Sequence, residues 1–161
     1  TSNRGACHLR ANPYGHDFGS TEIAGKAKVV KDSQDFIAAI DSTGLCSFTS
    51  HSGVTEQLYA SQIDAAVGGG WTVARMRETG ERIWNLERQF NLAAGLTAKD
   101  DTLPQRLLTE PAPSGTAKGL VARIAEMLPE YYALRGWTAQ GVPTPQTLAR
   151  LGLVRETTTA A

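Results

Sequence analysis

The chain has 161 residues, 41% of them hydrophobic and 20% charged, and its 16 Lys plus Arg balance 16 Asp plus Glu. That length suits one domain, which can bury roughly 68–70% of its unfolded surface and so needs no disulfide or metal to hold a core. The zero formal charge argues against a nucleic-acid binder, which carries a basic excess, and no stretch reaches the roughly 18 consecutive apolar residues of a membrane span.

Residues 1–26 are rich in Gly, Asn, Pro and His, have no hydrophobic period and include the turn-prone Asn12-Pro13-Tyr14-Gly15. We read them as an ordered loop anchored by Tyr14, His16 and Phe18. Thr1 opens on a polar run without a helix or strand signal, as the interior of a longer polypeptide would. A first helix is expected over residues 33–42. Val29, Val30, Phe36, Ile37 and Ile40 form its apolar stripe, Asp32 or Ser33 caps it, and Thr43-Gly44 ends it. A second is expected over 55–67, bearing Leu58, Tyr59, Ile63 and Ala66. Gly68-Gly69-Gly70 stops it, each glycine costing roughly 1 kcal/mol relative to alanine in a helix. The third and longest covers 72–94. Met76, Ile83 and Phe90 recur every seven residues, and with Trp84 they read as core.

Thr97-Ala98-Lys99-Asp100 has the form of a capping box with aspartate in place of glutamate. A further helix is expected from Ala125 to residue 135, begun there so that Pro129 falls near its first turn. Thr144 then caps a short final helix with Pro145 at its first position, closed by Gly152. The whole reads as an all-α, multihelical domain of about five helices with long ordered loops over residues 1–154, and a frayed tail over 155–161.

Two cysteines, Cys7 and Cys46, do not make the disulfide framework of a secreted domain, so a cytoplasmic protein is expected. Cys7, His8, Cys46 and His51 could be assembled into a zinc site, but their spacing matches no compact zinc pattern. There is no G-x-S-x-G, and no glycine pattern of a P-loop or dinucleotide fold. The richest local chemistry is Asp41-Ser42-Thr43-Gly44-Leu45-Cys46, at a helix end. A carboxylate there can accept two N–H bonds from a planar heterocycle, and a thiolate nearby can ligate a soft metal such as iron. On residue types alone, an ordinary helix C-cap is the plainer reading.

The D-x-x-G-L-C of Asp41 to Cys46 resembles the pterin- and cluster-binding motif of the tungsten-containing aldehyde:ferredoxin oxidoreductase family. So does the opening run Thr1-Ser-Asn-Arg-Gly-Ala-Cys-His-Leu-Arg10. Further along, Gly80-Glu-Arg-Ile-Trp-Asn-Leu-Glu-Arg88, Gly95-Leu-Thr and Asp100-Asp-Thr-Leu-Pro104 resemble the same family, as do Glu126-Met-Leu-Pro-Glu-Tyr-Tyr132 and Arg135-Gly-Trp137. The segments keep the family's order across about residues 1–153.

The resemblance implies the C-terminal helical domain, in part, of a larger enzyme with a β-rich N-terminal domain followed by two helical ones. The implied activity is oxidation of an aldehyde, with water, to a carboxylic acid at a tungsten (or molybdenum) bis-pterin site, with electrons leaving through a 4Fe–4S cluster to ferredoxin or another acceptor. It implies that Asp41 accepts hydrogen bonds from a pterin, that Leu45 gives it a backbone contact and that Arg10 helps hold the charged cofactor. Cys46 becomes the fourth cluster ligand, and His8 a donor or acid/base beside the metal. The family's C-x-x-C-x-x-x-C group and its first D-x-x-G copy are absent from these residues, so the chain alone is expected to be inactive. Some members carry lysine where Arg10 stands, and arginine is a fork rather than a point charge. The alternative reading is a helical interaction or scaffold module without catalysis.

Overall fold

A computed structural model describes residues 2–5, 7, 9–17 and 20–154. His8, Phe18 and the expected frayed tail lie outside the described residues. The architecture is all-α. In chain order the elements are α1 (Tyr14–Asp17), α2 (Lys26–Thr43), a 3-10 helix (Ser47–Ser52), α3 (Glu56–Val67), α4 (Val73–Ala93), a second 3-10 helix (Ala98–Asp100), α5 (Gln105–Thr109), α6 (Ile124–Arg135) and α7 (Pro145–Arg150). The five expected helices are all present. The short helical turn that the Thr97–Asp100 box implies before Pro104 is the second 3-10 helix, and the single-turn pieces α1 and α5 and the first 3-10 helix add to these. Among the described residues there is no strand, only isolated bridges such as Trp137 with Pro143, and no helix is long and apolar enough to cross a membrane.

Local chemistry sets most boundaries. The side chains of Thr55, Thr72 and Thr144 accept backbone N–H bonds at the starts of α3, α4 and α7, and Pro145 sits at the first turn of α7. The box at Thr97 and Asp100 is closed in both directions. The start of α2 departs from expectation. It begins at Lys26, behind Gly25 in the left-handed conformation at φ 74°, with no side-chain cap. Asp32 and Ser33 are therefore interior. Asp32 pairs with Lys28, and Asp35 with Lys31, at helical i, i+4 spacing, which supports the early turns. The Ser33 hydroxyl accepts the Asn12 N–H at 2.8 Å, pinning the N-terminal loop to α2. In α6, Pro129 lies inside the helix, which starts at Ile124.

α2 is the centre of the molecule, packed on α4 and α6. Gly80 makes the close α2–α4 approach possible: a Cβ there would meet the Asp35 carbonyl oxygen at 1.8 Å. One cluster gathers Ala27, Ala38, Trp84, Tyr131, Tyr132 and Trp137; a second gathers Ala39, Ile40, Tyr59 and Met76. The seven-residue stripe expected on α4 is only partly core. Met76 and Trp84 are buried, but Phe90 is 73% exposed, and Leu86 and Leu58 are exposed as well. The buried face of α4 steps by four residues through Met76, Gly80, Trp84 and Arg88, so it ends on an arginine and leaves Phe90 outside.

Candidate functional site

The C-terminal turn of α2 satisfies most of its own backbone. The Ser42 and Thr43 hydroxyls donate to the carbonyls of Ala39 and Ile40, both at 2.7 Å. Gly44, left-handed at φ 75°, donates its N–H to the Asp41 carbonyl at 3.3 Å, and Leu45 N–H donates to Thr43 Oγ1 at 3.2 Å. The helix end is thus closed as a cap. It leaves outward the Asp41 carboxylate, the exposed Leu45 and the exposed thiol of Cys46. The Cys46 carbonyl starts the next 3-10 turn by accepting from Thr49 Oγ1 at 2.7 Å.

Arg10 reaches this turn from the N-terminal loop. Its Nη1 lies 3.3 Å from Asp41 Oδ2 and its Nη2 lies 2.6 Å from both carboxylate oxygens of Glu87 on α4. Its guanidinium stands 5.5 Å from the Trp84 ring centroid, a cation–π distance. Asn3 is tied to the same stretch of α4. Its Nδ2 donates to the Trp84 carbonyl at 3.1 Å and to Glu87 at 3.0 Å, and its own carbonyl accepts from Asn91 at 2.6 Å.

Of the residues expected from sequence, Arg10 and Asp41 are brought into contact, and Leu45 and Cys46 follow on the same turn. His8 lies outside the described residues. Asn3, Arg4 and Glu87 were not singled out by sequence reasoning. Asn3 and Arg4 sit within the opening motif and Glu87 within the Gly80 to Arg88 run, but nothing local ties them to one another. Arg4 donates from Nε and Nη2 to the Cys7 sulfur at 3.1 and 3.0 Å. Burial pushes the Cys7 thiol up, but the Arg4 hydrogen bond and the N–H groups of Leu9 and Arg10 outweigh it and hold the thiol below its ordinary value.

A cavity of about 370 Å³ opens beside this network, with Asn3, Arg4, Arg10, Glu87 and Phe90 in its walls. Two polar atoms there are buried without a protein partner, the acceptor Asn3 Oδ1 and the donor Arg10 Nε. Unsatisfied buried polar atoms are uncommon in native proteins, and an ordered water, an ion or a further group can satisfy them. No three His, Cys, Asp or Glu side chains converge on a metal-sized site among the described residues. His51 instead shares a hydrogen bond with Asn12 at 3.1 Å and packs near the rings of Tyr14 and Phe48. The described part of the zinc quartet is therefore not assembled.

A family model described as "Aldehyde ferredoxin oxidoreductase, domains 2 & 3" matches residues 1–153. The chain belongs to the aldehyde ferredoxin oxidoreductase family. It is 45% identical over 166 aligned positions to the tungsten-containing aldehyde ferredoxin oxidoreductase of Pyrococcus abyssi, and 44% identical to that of Pyrococcus furiosus. Each match covers 95% of this chain but only 26% and 27% of the relative, so the chain spans about a quarter of the length of the aldehyde ferredoxin oxidoreductases it matches. In fold it is similar to a chain of the BamBC active-site complex of benzoyl coenzyme A reductase, with a TM-score of 0.64 over 84% of this chain and 20% of that one. At 23% identity that likeness speaks to the fold alone.

Proposed function

We propose that this chain forms one wall of the cofactor site of a tungsten (or molybdenum) aldehyde oxidoreductase whose remaining domains complete the centre. The observation that supports this reading most is the Arg10–Asp41 pair at the end of α2, one turn before the exposed Cys46. The residues fit such a cofactor in charge and in open valences. Asp41 is engaged by Arg10 through one 3.3 Å contact and its side chain is 41% exposed, so it can still accept from the N–H groups of a planar heterocycle. Arg10 brings a guanidinium charge to the same place, which suits an anionic cofactor. Leu45 lies beside Asp41 for a backbone contact, and Cys46 offers one thiolate to a 4Fe–4S cluster whose other ligands lie elsewhere in the enzyme.

When bound, the bis-pterin metal supplies the two-electron oxidation of an aldehyde with water to a carboxylic acid, and the cluster relays the electrons singly to ferredoxin or another acceptor. The chain's own part is to hold and orient. Asp41 fixes the heterocycle edge, Arg10 neutralises charge, and Cys46 ties cluster and pterin to the same helix cap. His8, carried by the opening motif, holds or moves a proton at the aldehyde oxygen, since imidazole titrates near neutral pH. A cytoplasmic setting, where the free thiols of Cys7 and Cys46 stay reduced, suits this chemistry.

The test is elemental and pterin analysis of the full-length protein that carries this chain, purified without oxygen. Tungsten or molybdenum, with iron and a pterin, is expected. Zinc alone would point to a structural metal domain and no metal to a scaffold module, and either would overturn the proposal.

A further inference from the structure

Glu87 is the point where three parts of the site meet. It receives Arg10 Nη2 at 2.6 Å on both oxygens and Asn3 Nδ2 at 3.0 Å, and it stands on α4, one turn beyond the Trp84 ring over which Arg10 lies. Two carboxylates thus compete for one guanidinium. Glu87 holds it through short contacts to both oxygens, and Asp41 through a single 3.3 Å contact. An arginine fork freed from one carboxylate closes on the other with two parallel bonds. Without Glu87, Arg10 would swing onto Asp41 and occupy both of its oxygens.

We infer that Glu87 is a positioning residue: by holding Arg10 back against Trp84, it keeps the Asp41 carboxylate open to accept from the pterin. This rests on the cofactor role proposed for Arg10 and Asp41. Glu87 itself touches Arg10 and Asn3, and its effect passes through Arg10. Its side chain is 36% exposed and is not among the buried residues of α4, so its replacement is expected to leave the helical core packed.

The experiment uses the full-length enzyme with Glu87→Gln, Arg10→Ala, the two combined, and Asp41→Asn as a reference. Three quantities are read: pterin released per protein on oxidative denaturation, the rate of aldehyde oxidation, and the melting temperature of the cofactor-free protein. Glutamine keeps the size of Glu87 but puts an amide where a second acceptor was. With Arg10 present, Glu87→Gln should lower pterin content and reduce turnover by about 10–100-fold, the usual range for a group that orients a ligating residue. The melting temperature of the cofactor-free protein should hardly change. In the Arg10→Ala background Glu87→Gln should add nothing, because its route of action is gone. Losses that multiply in the double variant would overturn the inference and leave Glu87 an independent loop anchor. Normal pterin and turnover in Glu87→Gln, alongside pterin loss in Asp41→Asn, would overturn it while leaving the cofactor site standing. Full pterin in both Asp41→Asn and Arg10→Ala would instead sink the underlying reading of the site, and the inference with it.

Discussion

Arg88 and Asp101 form a two-pronged ion pair inside the protein, Nη1 to Oδ1 at 3.0 Å and Nη2 to Oδ2 at 2.7 Å. Both side chains are almost wholly buried. Each has a further partner: Arg88 Nε donates to the Gly141 carbonyl at 2.9 Å, and the Tyr132 hydroxyl donates to Asp101 Oδ2 at 2.5 Å. The guanidinium also lies 4.8 Å from the Trp137 ring centroid. Burial, reinforced by the Asp101 carboxylate, pushes the Tyr132 hydroxyl well above its ordinary value, so it stays a donor. One ion pair thereby locks α4, the second 3-10 turn, α6 and the turn before α7 together.

Removing one partner should be costly because the other is left charged and buried. Asp101→Ala is expected to destabilise the chain by about 3–5 kcal/mol, and the double change Arg88→Met with Asp101→Leu by clearly less. Urea denaturation of the three proteins side by side decides it. A loss for Asp101→Ala of about 1 kcal/mol or less would mean that water reaches the pair and that it behaves like a surface bridge.

Glu81 links folding to acid pH. Burial raises its carboxyl, but the Arg150 hydrogen bond at 2.7 Å, with the charges of Lys31, Arg150 and Arg135, outweighs burial and holds it below its ordinary value of 4.5. A carboxyl depressed in the folded state contributes stability that is present above its unfolded pKa and is lost as pH falls through the folded one. The melting temperature should therefore drop as the solution is taken below about pH 4.5, the ordinary value for a glutamate. Glu81→Gln should start lower at pH 7 and show a shallower acid slope. Parallel slopes in the two proteins would show that other carboxylates carry the acid sensitivity.

The parts legible in the sequence are those written in neighbouring residues. Thr55, Thr72, the Thr97–Asp100 box and Thr144-Pro145 each act within one helical turn, and each marks an observed helix start. The start of α2 was hidden because Gly25 begins it without a capping side chain, and because Asp32 and Ser33 look like caps when read alone. The heptad of Met76, Ile83 and Phe90 misled because burial on α4 follows a four-residue line ending in Arg88. That arginine is tolerable inside only because Asp101, distant on the chain, meets it. The same limit applies at the site. Asp41, Leu45 and Cys46 share one turn and could be read as a motif, and Arg10 came with the opening run. The Glu87 contact that holds Arg10 depends on how α4 crosses the loop, and no local pattern encodes it.

Cys46 and His8 should fail in different ways in the full-length enzyme. Cys46 presents an exposed thiol at the end of α2 and belongs to the cluster in the proposed site. Serine offers a hard oxygen where iron prefers sulfur, so Cys46→Ser should lower the iron content or alter the cluster spectrum and slow the exit of electrons. His8→Ala leaves cluster and pterin ligands alone. It should keep normal metal and pterin while turnover falls by roughly 10²–10⁴-fold, the usual contribution of a positioned acid or base. The measurement is metal content and aldehyde oxidation rate on both variants from the same preparation. Wild-type turnover in His8→Ala would make that residue a loop anchor rather than an acid or base. Four irons with an unchanged spectrum in Cys46→Ser would remove Cys46 from the cluster and reduce its turn to the helix cap its backbone already forms.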